Sequence, residues 1–405
     1  MFVRFWGVRG SLATAITARQ VEEKIRKVLE LATPTDILSK EAIENFLGNL
    51  PLSIRGTYGG NTTCIEIQTN ENKTIVIDAG TGMRPLGNAL MARGKMVGKD
   101  DMAVFFTHSH WDHIQGLMFF VPIFIPGNKI NFYSCFPDIE ARLRYQMITT
   151  HFPLTFDELN AERNFFHFPE GDTVDVYGLK IQGKSVRHPG GCYSYKFKQP
   201  NGKTFIFCSD AEFNLETLED IGPYIDYFFG ADVLVFDTQY TFEESLQKID
   251  WGHSSAAIAT DIAIKSEVKK LVLYHHDPSY DDAKMDNVTL QAMRISDGVV
   301  KGYAMNGTIA QVVDITRLAD KAGTQMGDTR AATEALVNSV RGISRATQAQ
   351  AETSQRLLVR ANQLIEASQR TLEEIEEQRG DTESLNASAT ALVRTVGGFK
   401  LPANL

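Results

Sequence analysis

Ala103-Val104-Phe105-Phe106-Thr107-His108-Ser109-His110-Trp111-Asp112-His113 is the stretch whose reading decides the fold. Its first four residues are apolar and β-forming, so a strand ends there and delivers a polar cluster into a loop. His108 and His110 stand two apart, and in extended chain they point the same way. Asp112 and His113 follow at the turn and can face a second position. Three imidazoles and a carboxylate within six residues suit a borderline divalent metal. Zinc is the first expectation, with manganese and iron also compatible. A lone surface histidine would carry no such weight.

Outward from this cluster, the same placement recurs. His188 follows an apolar run over 179–186, Asp210 follows one over 204–208, and His275 follows one over 271–274. Asp78 follows 74–77 and opens Ala79-Gly80-Thr81-Gly82. Each is a polar residue at the C-terminal end of an apolar strand, where sites in α/β proteins gather. Of nine histidines, only His151 and His167 fall outside these segments and the Trp251-Gly252-His253 stretch. The doubled His275-His276 leaves two candidates for one position. Counting from the strand favours His275, which leaves His276 to orient a ligand, meet substrate or lie on the surface.

His108-x-His110-x-Asp112-His113, with His188, Asp210 and His275 downstream in that order, resembles the metallo-β-lactamase superfamily. The resemblance spans residues 1–314. It implies an αββα sandwich, a mixed α/β (α+β) fold, with a two-metal site at one edge. It further implies that His108, His110 and His188 hold one divalent ion, that Asp112, His113 and His275 hold the other, and that Asp210 bridges them. An aspartate at the bridging position, where the commonest β-lactamases have a cysteine nearby, disfavours antibiotic hydrolysis. Trp251-Gly252-His253-Ser254-Ser255 is similar to the His-Ser-Thr segment of tRNA 3′-end endonucleases and related phosphodiesterases. Phe5-Trp6-Gly7-Val8-Arg9-Gly10-Ser11, Tyr58-Gly59-Gly60-Asn61-Thr62 and His275-His276-Asp277-Pro278 resemble a bacterial and phage branch that includes cyclic-nucleotide phosphodiesterases.

The mechanism implied is attack on phosphorus by a hydroxide shared between two metals. Asp112 and His253 are the expected catalytic residues, His253 giving a proton to the leaving oxygen. Ser254 and Ser255 would equally suit a helix start beside it. Asp78 is expected to orient a metal-binding histidine, and Asp237, ending 233–236, to play a similar part or only a turn. Gly59-Gly60-Asn61 could bring backbone N–H groups to a phosphate or form a tight turn. Arg9 and Arg55 are candidate phosphate or base contacts, with surface roles as the alternative.

Other expected strands cover 2–6, 64–69, 103–106, 130–133, 233–236 and 308–313. Helical patterns lie at 254–265 and 281–296, and 18–31 reads as a helix inserted after the first strand. The texture changes near Ile315, so the expected domains are a hydrolase domain over 1–314 and a helical, coiled-coil-like extension over 315–405. A heptad frame places Leu336, Ile343, Gln350, Leu357, Leu364 and Thr371 on one seam, and Val340, Thr347, Ser354, Ala361, Ser368 and Ile375 on the other. Arg379-Gly380-Asp381 reads as a helix stop and turn, with a shorter helix following to about Arg394 and a loose tail beginning at Gly397-Gly398. A long helix with a narrow apolar stripe needs a partner, so a homo-oligomer, a homodimer formed through these helices, is expected.

The chain of 405 residues carries a net charge of −9. From Ile315 onward 11 basic and 11 acidic residues balance, leaving 41 − 11 = 30 basic against 50 − 11 = 39 acidic residues in the first domain. That balance disfavours clamping a folded RNA. Cys64, Cys135, Cys192 and Cys208 form no C-x-x-C pair and read as reduced core thiols. Met1-Phe2-Val3-Arg4-Phe5-Trp6-Gly7 lacks the pattern of a secretory leader, and no stretch is long and apolar enough to span a bilayer. A cytoplasmic protein without membrane contact is expected. The expected function is therefore a two-metal phosphodiesterase acting on a small phosphodiester, with a cyclic nucleotide as the leading substrate. An RNA 3′-end endonuclease and a thioester or lactone hydrolase are the enzyme alternatives. A metal-site sensor or signalling scaffold using the helical tail is the alternative of another class.

Overall fold

A computed structural model of the chain describes residues 1–214, 221–296, 301–304, 375–376 and 378–394. The chain divides into two units, Met1–Val313 and Asp314–Leu405. The first holds thirteen described strands: β1 (Phe2–Gly7), β2 (Cys64–Gln68), β3 (Thr74–Ile77), β4 (Asp101–Phe105), β5 (Lys129–Ser134), β6 (Glu162–His167), β7 (Thr173–Val176), β8 (Leu179–Val186), β9 (Cys192–Lys198), β10 (Thr204–Cys208), β11 (Val233–Asp237), β12 (Lys270–Tyr274) and β13 (Lys301–Ala304). They form two sheets, ordered β1-β2-β3-β4-β5-β6 and β13-β12-β11-β10-β9-β8-β7. Each sheet is antiparallel at one end and parallel at the other: β3 through β6 run parallel, as do β10 through β13.

The period-two alternation of side chains sorts the apolar residues into layers. In β4, Ala103 and Phe105 belong to the core between the sheets, while Met102 and Val104 face helices on the outer side. In β10 and β11, Phe205, Phe207 and Val235 enter that same inter-sheet core. Ile206, Cys208, Leu234 and Phe236 pack against Ala259, Ile262, Ala263, Met285 and Val288 of the helices Ala256–Lys265 and Asp282–Ser296. On the other flank Leu86 and Leu90 of the helix Met83–Ala92 and Leu143 of the helix Ile139–Gln146 cover the first sheet. The result is helix, sheet, sheet, helix, with an apolar strand core on both faces of each sheet. All four cysteines are buried and unpaired.

Several expectations are corrected here. Strands β6, β7, β9 and β13 arise where none was expected. β6 and β7 are the outermost strands of their sheets and half polar, and the lysines of Cys192–Lys198 mask the alternation in β9. The strand expected at 308–313, the heptad seams up to Thr371 and the tail expected from Gly397 lie outside the described residues. The helix expected to run to about Arg394 is present, but the stop and turn expected before it at Arg379-Gly380-Asp381 is overturned, because residues 378–394 run as one helix through Gly380. A glycine inside a helix costs only about 1 kcal/mol, and Arg379 pairs with Glu383 one turn on. No helix among the described residues is long and apolar enough to cross a membrane.

Candidate metal centre

Strand ends deliver the polar cluster. β4 ends at Phe105, and His108 then lies buried three residues further on. His110, exposed and extended, caps the single helical turn Trp111–Ile114, which carries Asp112 and His113 inward. His188 follows β8, Asp210 follows β10 and His275 follows β12. Asp78, Asp210 and His275 have φ of 57°, 54° and 61°. This left-handed backbone costs a non-glycine residue roughly 1 kcal/mol or more. Each turns sharply just as its strand ends, and that turn swings the side chain toward the common edge.

Three overlapping groups of donor atoms result, each with its members within 4.8 Å of one another: His108, His110 and His188; Asp112, His113, Asp210 and His275; and Asp210, Asp237, His253 and His275. His188 Nε2 lies 3.0 Å from His110 Nδ1. His113 Nε2 lies 3.3 Å from His275 Nε2 and 3.0 Å from Asp210 Oδ2. Asp112 Oδ2 lies 3.1 Å from His275 Nε2. Asp210 also faces the first group, its Oδ1 being 3.8 Å from His108 Nε2 and 3.9 Å from His188 Nε2. Ligands at about 2.0–2.1 Å from one tetrahedral ion sit about 3.3 Å from each other, which is the spacing seen here. His108 Nε2 is buried with no hydrogen-bond partner, a costly arrangement that a metal would relieve. The donor set fits divalent metal.

The second ring nitrogens are held from behind, as metal-binding imidazoles are. His113 Nδ1 meets Asp78 Oδ2 at 2.7 Å, and Asp78 accepts in turn from the Thr107 N–H and hydroxyl. His188 Nδ1 meets the Gly252 carbonyl at 2.9 Å, and His275 Nδ1 meets Gln239 Oε1 at 3.0 Å. Burial and the neighbouring imidazoles, outweighing Asp210, hold His108 well below its ordinary value; burial and His188 likewise lower His110. Burial lowers His188 as well. These rings are therefore neutral near pH 7, the form that donates a lone pair to a metal. Burial opposes charge on His113 too, but Asp210, Asp112 and Asp78 outweigh it and push that ring well up.

Beside this set His253 Nδ1 sits 2.7 Å from Asp237 Oδ2, and its ring stacks on His275 with centroids 5.0 Å apart. His276 is not brought into the set. It is buried, both ring nitrogens lack partners, and its backbone pairs with Val8 and Gly10. Gly59-Gly60-Asn61 grips the 8–14 segment through its carbonyls rather than presenting N–H groups: Gly59 accepts from Arg9, Gly60 from Thr14, and Asn61 from Val8 and Arg9. A Cβ on Gly60 would lie 1.8 Å from the Thr14 carbonyl oxygen. Arg9 is buried and committed to the carbonyls of Gly59, Asp277 and Tyr280, so it is not free for a phosphate. Arg55 is exposed at the end of Leu52–Arg55.

Sequence reasoning missed three supporting residues. The Ser11 N–H donates to Asp112 Oδ2 at 2.8 Å, and Gln239 links His275 to the Ser11 hydroxyl. Buried Glu212 accepts from the Asp250 and Gly252 N–H groups, both at 2.9 Å, fixing the loop whose carbonyl meets His188. Ser11 works through its backbone and leaves no trace in residue type. Gln239 and Glu212 each stand two residues beyond a strand-end aspartate, the one signal that could have pointed to them.

A two-sheet sandwich with an imidazole and carboxylate donor cluster at its strand ends defines a metal-dependent hydrolase class. A family model described as the beta-lactamase superfamily domain matches residues 73–276, just over half of the chain. The chain belongs to this metallo-β-lactamase superfamily. Curated relatives include a ribonuclease Z of Picrophilus torridus, 24% identical over 45% of this chain and 71% of that protein. A ribonuclease Z of Oceanobacillus iheyensis is 22% identical over 47% of this chain and 76% of that protein. Among solved structures, the metallo-beta-lactamase fold protein YhfI from Bacillus subtilis superposes with a TM-score of 0.50 at 16% identity, covering 75% of this chain and 96% of its own. That likeness speaks for the fold alone.

Proposed function

We propose that this protein hydrolyses a phosphodiester bond of a nucleotide substrate at a two-metal centre. His108, His110 and His188 would hold one ion, Asp112, His113 and His275 the other, with Asp210 between them. The observation that carries the reading is His253, a proton carrier clamped by Asp237 at 2.7 Å and stacked on His275 beside the donor set. Divalent ions bound there would acidify water and neutralise charge on the phosphoryl oxygens.

The chain's own residues supply the rest. Asp237 accepts from His253 Nδ1–H, which fixes the ring and leaves Nε2 to carry the transferable proton. Nε2–H then gives its proton to the departing sugar oxygen as the P–O bond breaks. Ser254 anchors the same turn, its hydroxyl donating to the Ala211 carbonyl and accepting from the Phe213 N–H. The expected substitution His253→Ala lowers turnover by about 100-fold or more, with metal content kept. Unchanged turnover in that variant would remove His253 from the mechanism.

Two substrates compete. The relatives named ribonuclease Z support an RNA end and weigh against ranking RNA below a small phosphodiester. The excess of acidic residues before Ile315 supports a small substrate such as a cyclic nucleotide. Turnover of the metal-loaded chain on bis(p-nitrophenyl) phosphate, the 3′,5′-cyclic nucleotides, a precursor tRNA and a lactone separates these. Lactone turnover without phosphodiester turnover would contradict the proposal, and metal binding with no turnover would favour a sensor.

A further inference from the structure

A cavity of about 770 Å³ opens on the outer side of the donor loop, between that loop and the helix Ile139–Gln146. Its volume falls in the range of small-molecule sites. Ser109, Trp111, Gln115, Arg142, Tyr145 and Gln146 line it. Ser109 and Trp111 alternate with the donors His108 and His110, so the cavity and the metal centre share one segment of chain.

Three features of this lining are unusual for a surface. Trp111 is 75% exposed and Tyr145 71% exposed, although both are large rings that folding normally covers. The Gln146 amide nitrogen is shielded from solvent and has no hydrogen-bond partner. Arg142 is held rather than floating: it pairs with Asp138 at 3.0 Å, reaches the Ser109 hydroxyl at 3.3 Å and lies 4.2 Å over the Phe136 ring.

We infer that this cavity binds the nucleobase of the substrate whose phosphodiester meets the metal centre. A base offers a flat π face for the exposed rings of Trp111 or Tyr145. Stacking of this kind accepts any base, so the cavity selects nucleotides over other phosphodiesters without reading one base. The remaining guanidinium donors of Arg142 face a polar group of the sugar. The inference rests on the phosphodiesterase reading but concerns different residues.

The test compares two esters with the same leaving group, thymidine 5′-(p-nitrophenyl phosphate) and methyl p-nitrophenyl phosphate, on the metal-loaded full chain. The nucleoside ester is expected to win in kcat/KM. In Trp111→Ala and Tyr145→Ala the ratio of the two values should fall, by about tenfold in the stronger case, chiefly through KM. Trp111→Phe, which keeps a ring, should retain most of the ratio. Metal content is measured for each variant, since Trp111 adjoins the donors. A wild-type ratio near one, or a ratio unmoved in both alanine variants, overturns the inference and leaves the phosphodiesterase reading standing. Adenosine, which has no phosphate, gives a second readout by calorimetry. Adenosine binding that is lost in Trp111→Ala, with neither ester hydrolysed, would uphold the cavity and sink the proposed reaction. Absence of adenosine binding to the parent chain counts against the cavity.

Discussion

Asp78 shows how much a single residue does from behind. It is fully buried, turns its backbone at φ 57° and ties His113 to Thr107. Asp78→Asn keeps the shape but removes the carboxylate charge that holds the His113 ring. Metal affinity should fall by about 10–100-fold, measured by competition against a chromophoric chelator. Affinity equal to that of the parent would mean that Asp78 serves only its turn. The ligand candidates themselves were legible because each is a polar residue abruptly ending an apolar run. Ser11, Glu212 and Gln239 were not, because their effect depends on contacts across as many as 228 residues of chain and on backbone groups that every residue type has.

At the scale of elements, short polar clips hold the second sheet's helices around the site. Thr241 caps the helix Phe242–Gln247, whose Glu244 bonds back to the Thr241 N–H and reaches across to the Tyr280 hydroxyl and to Lys284 at 2.6 Å. Burial raises the Glu244 carboxyl, but Lys284, Tyr280 and Thr241 outweigh it and bring it to about 2, from an ordinary 4.5. A carboxyl depressed by folding stabilises the fold above its unfolded value and loses that contribution as pH falls through its folded one. Glu244→Gln should therefore lower stability at pH 7, and the gap to the parent should shrink between about pH 4.5 and about 2. Urea unfolding across that range checks the sign; a gap independent of pH would show that the charge is not what matters. The central strands were readable from Val, Ile and Phe runs buried on both faces. β6 and β7, at the sheet edges, carry polar residues on their open sides, and so lose the signal that central strands keep.

At the scale of the molecule, the two parallel half-sheets point their C-terminal ends at one edge and β8, in the antiparallel part, runs in the same direction as β10, which lets donors from β4, β8, β10 and β12 meet although 167 residues separate His108 from His275. The sandwich was legible through the motif order and the resemblance it carried, not through strand counting, since four strands escaped notice. The charge division between the two units left the substrate open, because a metal centre can hold an anion on an acidic protein. The most direct test is stepwise addition of zinc to the metal-stripped chain, with turnover of bis(p-nitrophenyl) phosphate followed at each addition. Turnover should rise from the baseline and level off at about two equivalents, while His110→Ala should bind less metal and stay at the baseline. Full turnover in the presence of a chelator, or in the His110→Ala chain, would contradict the account.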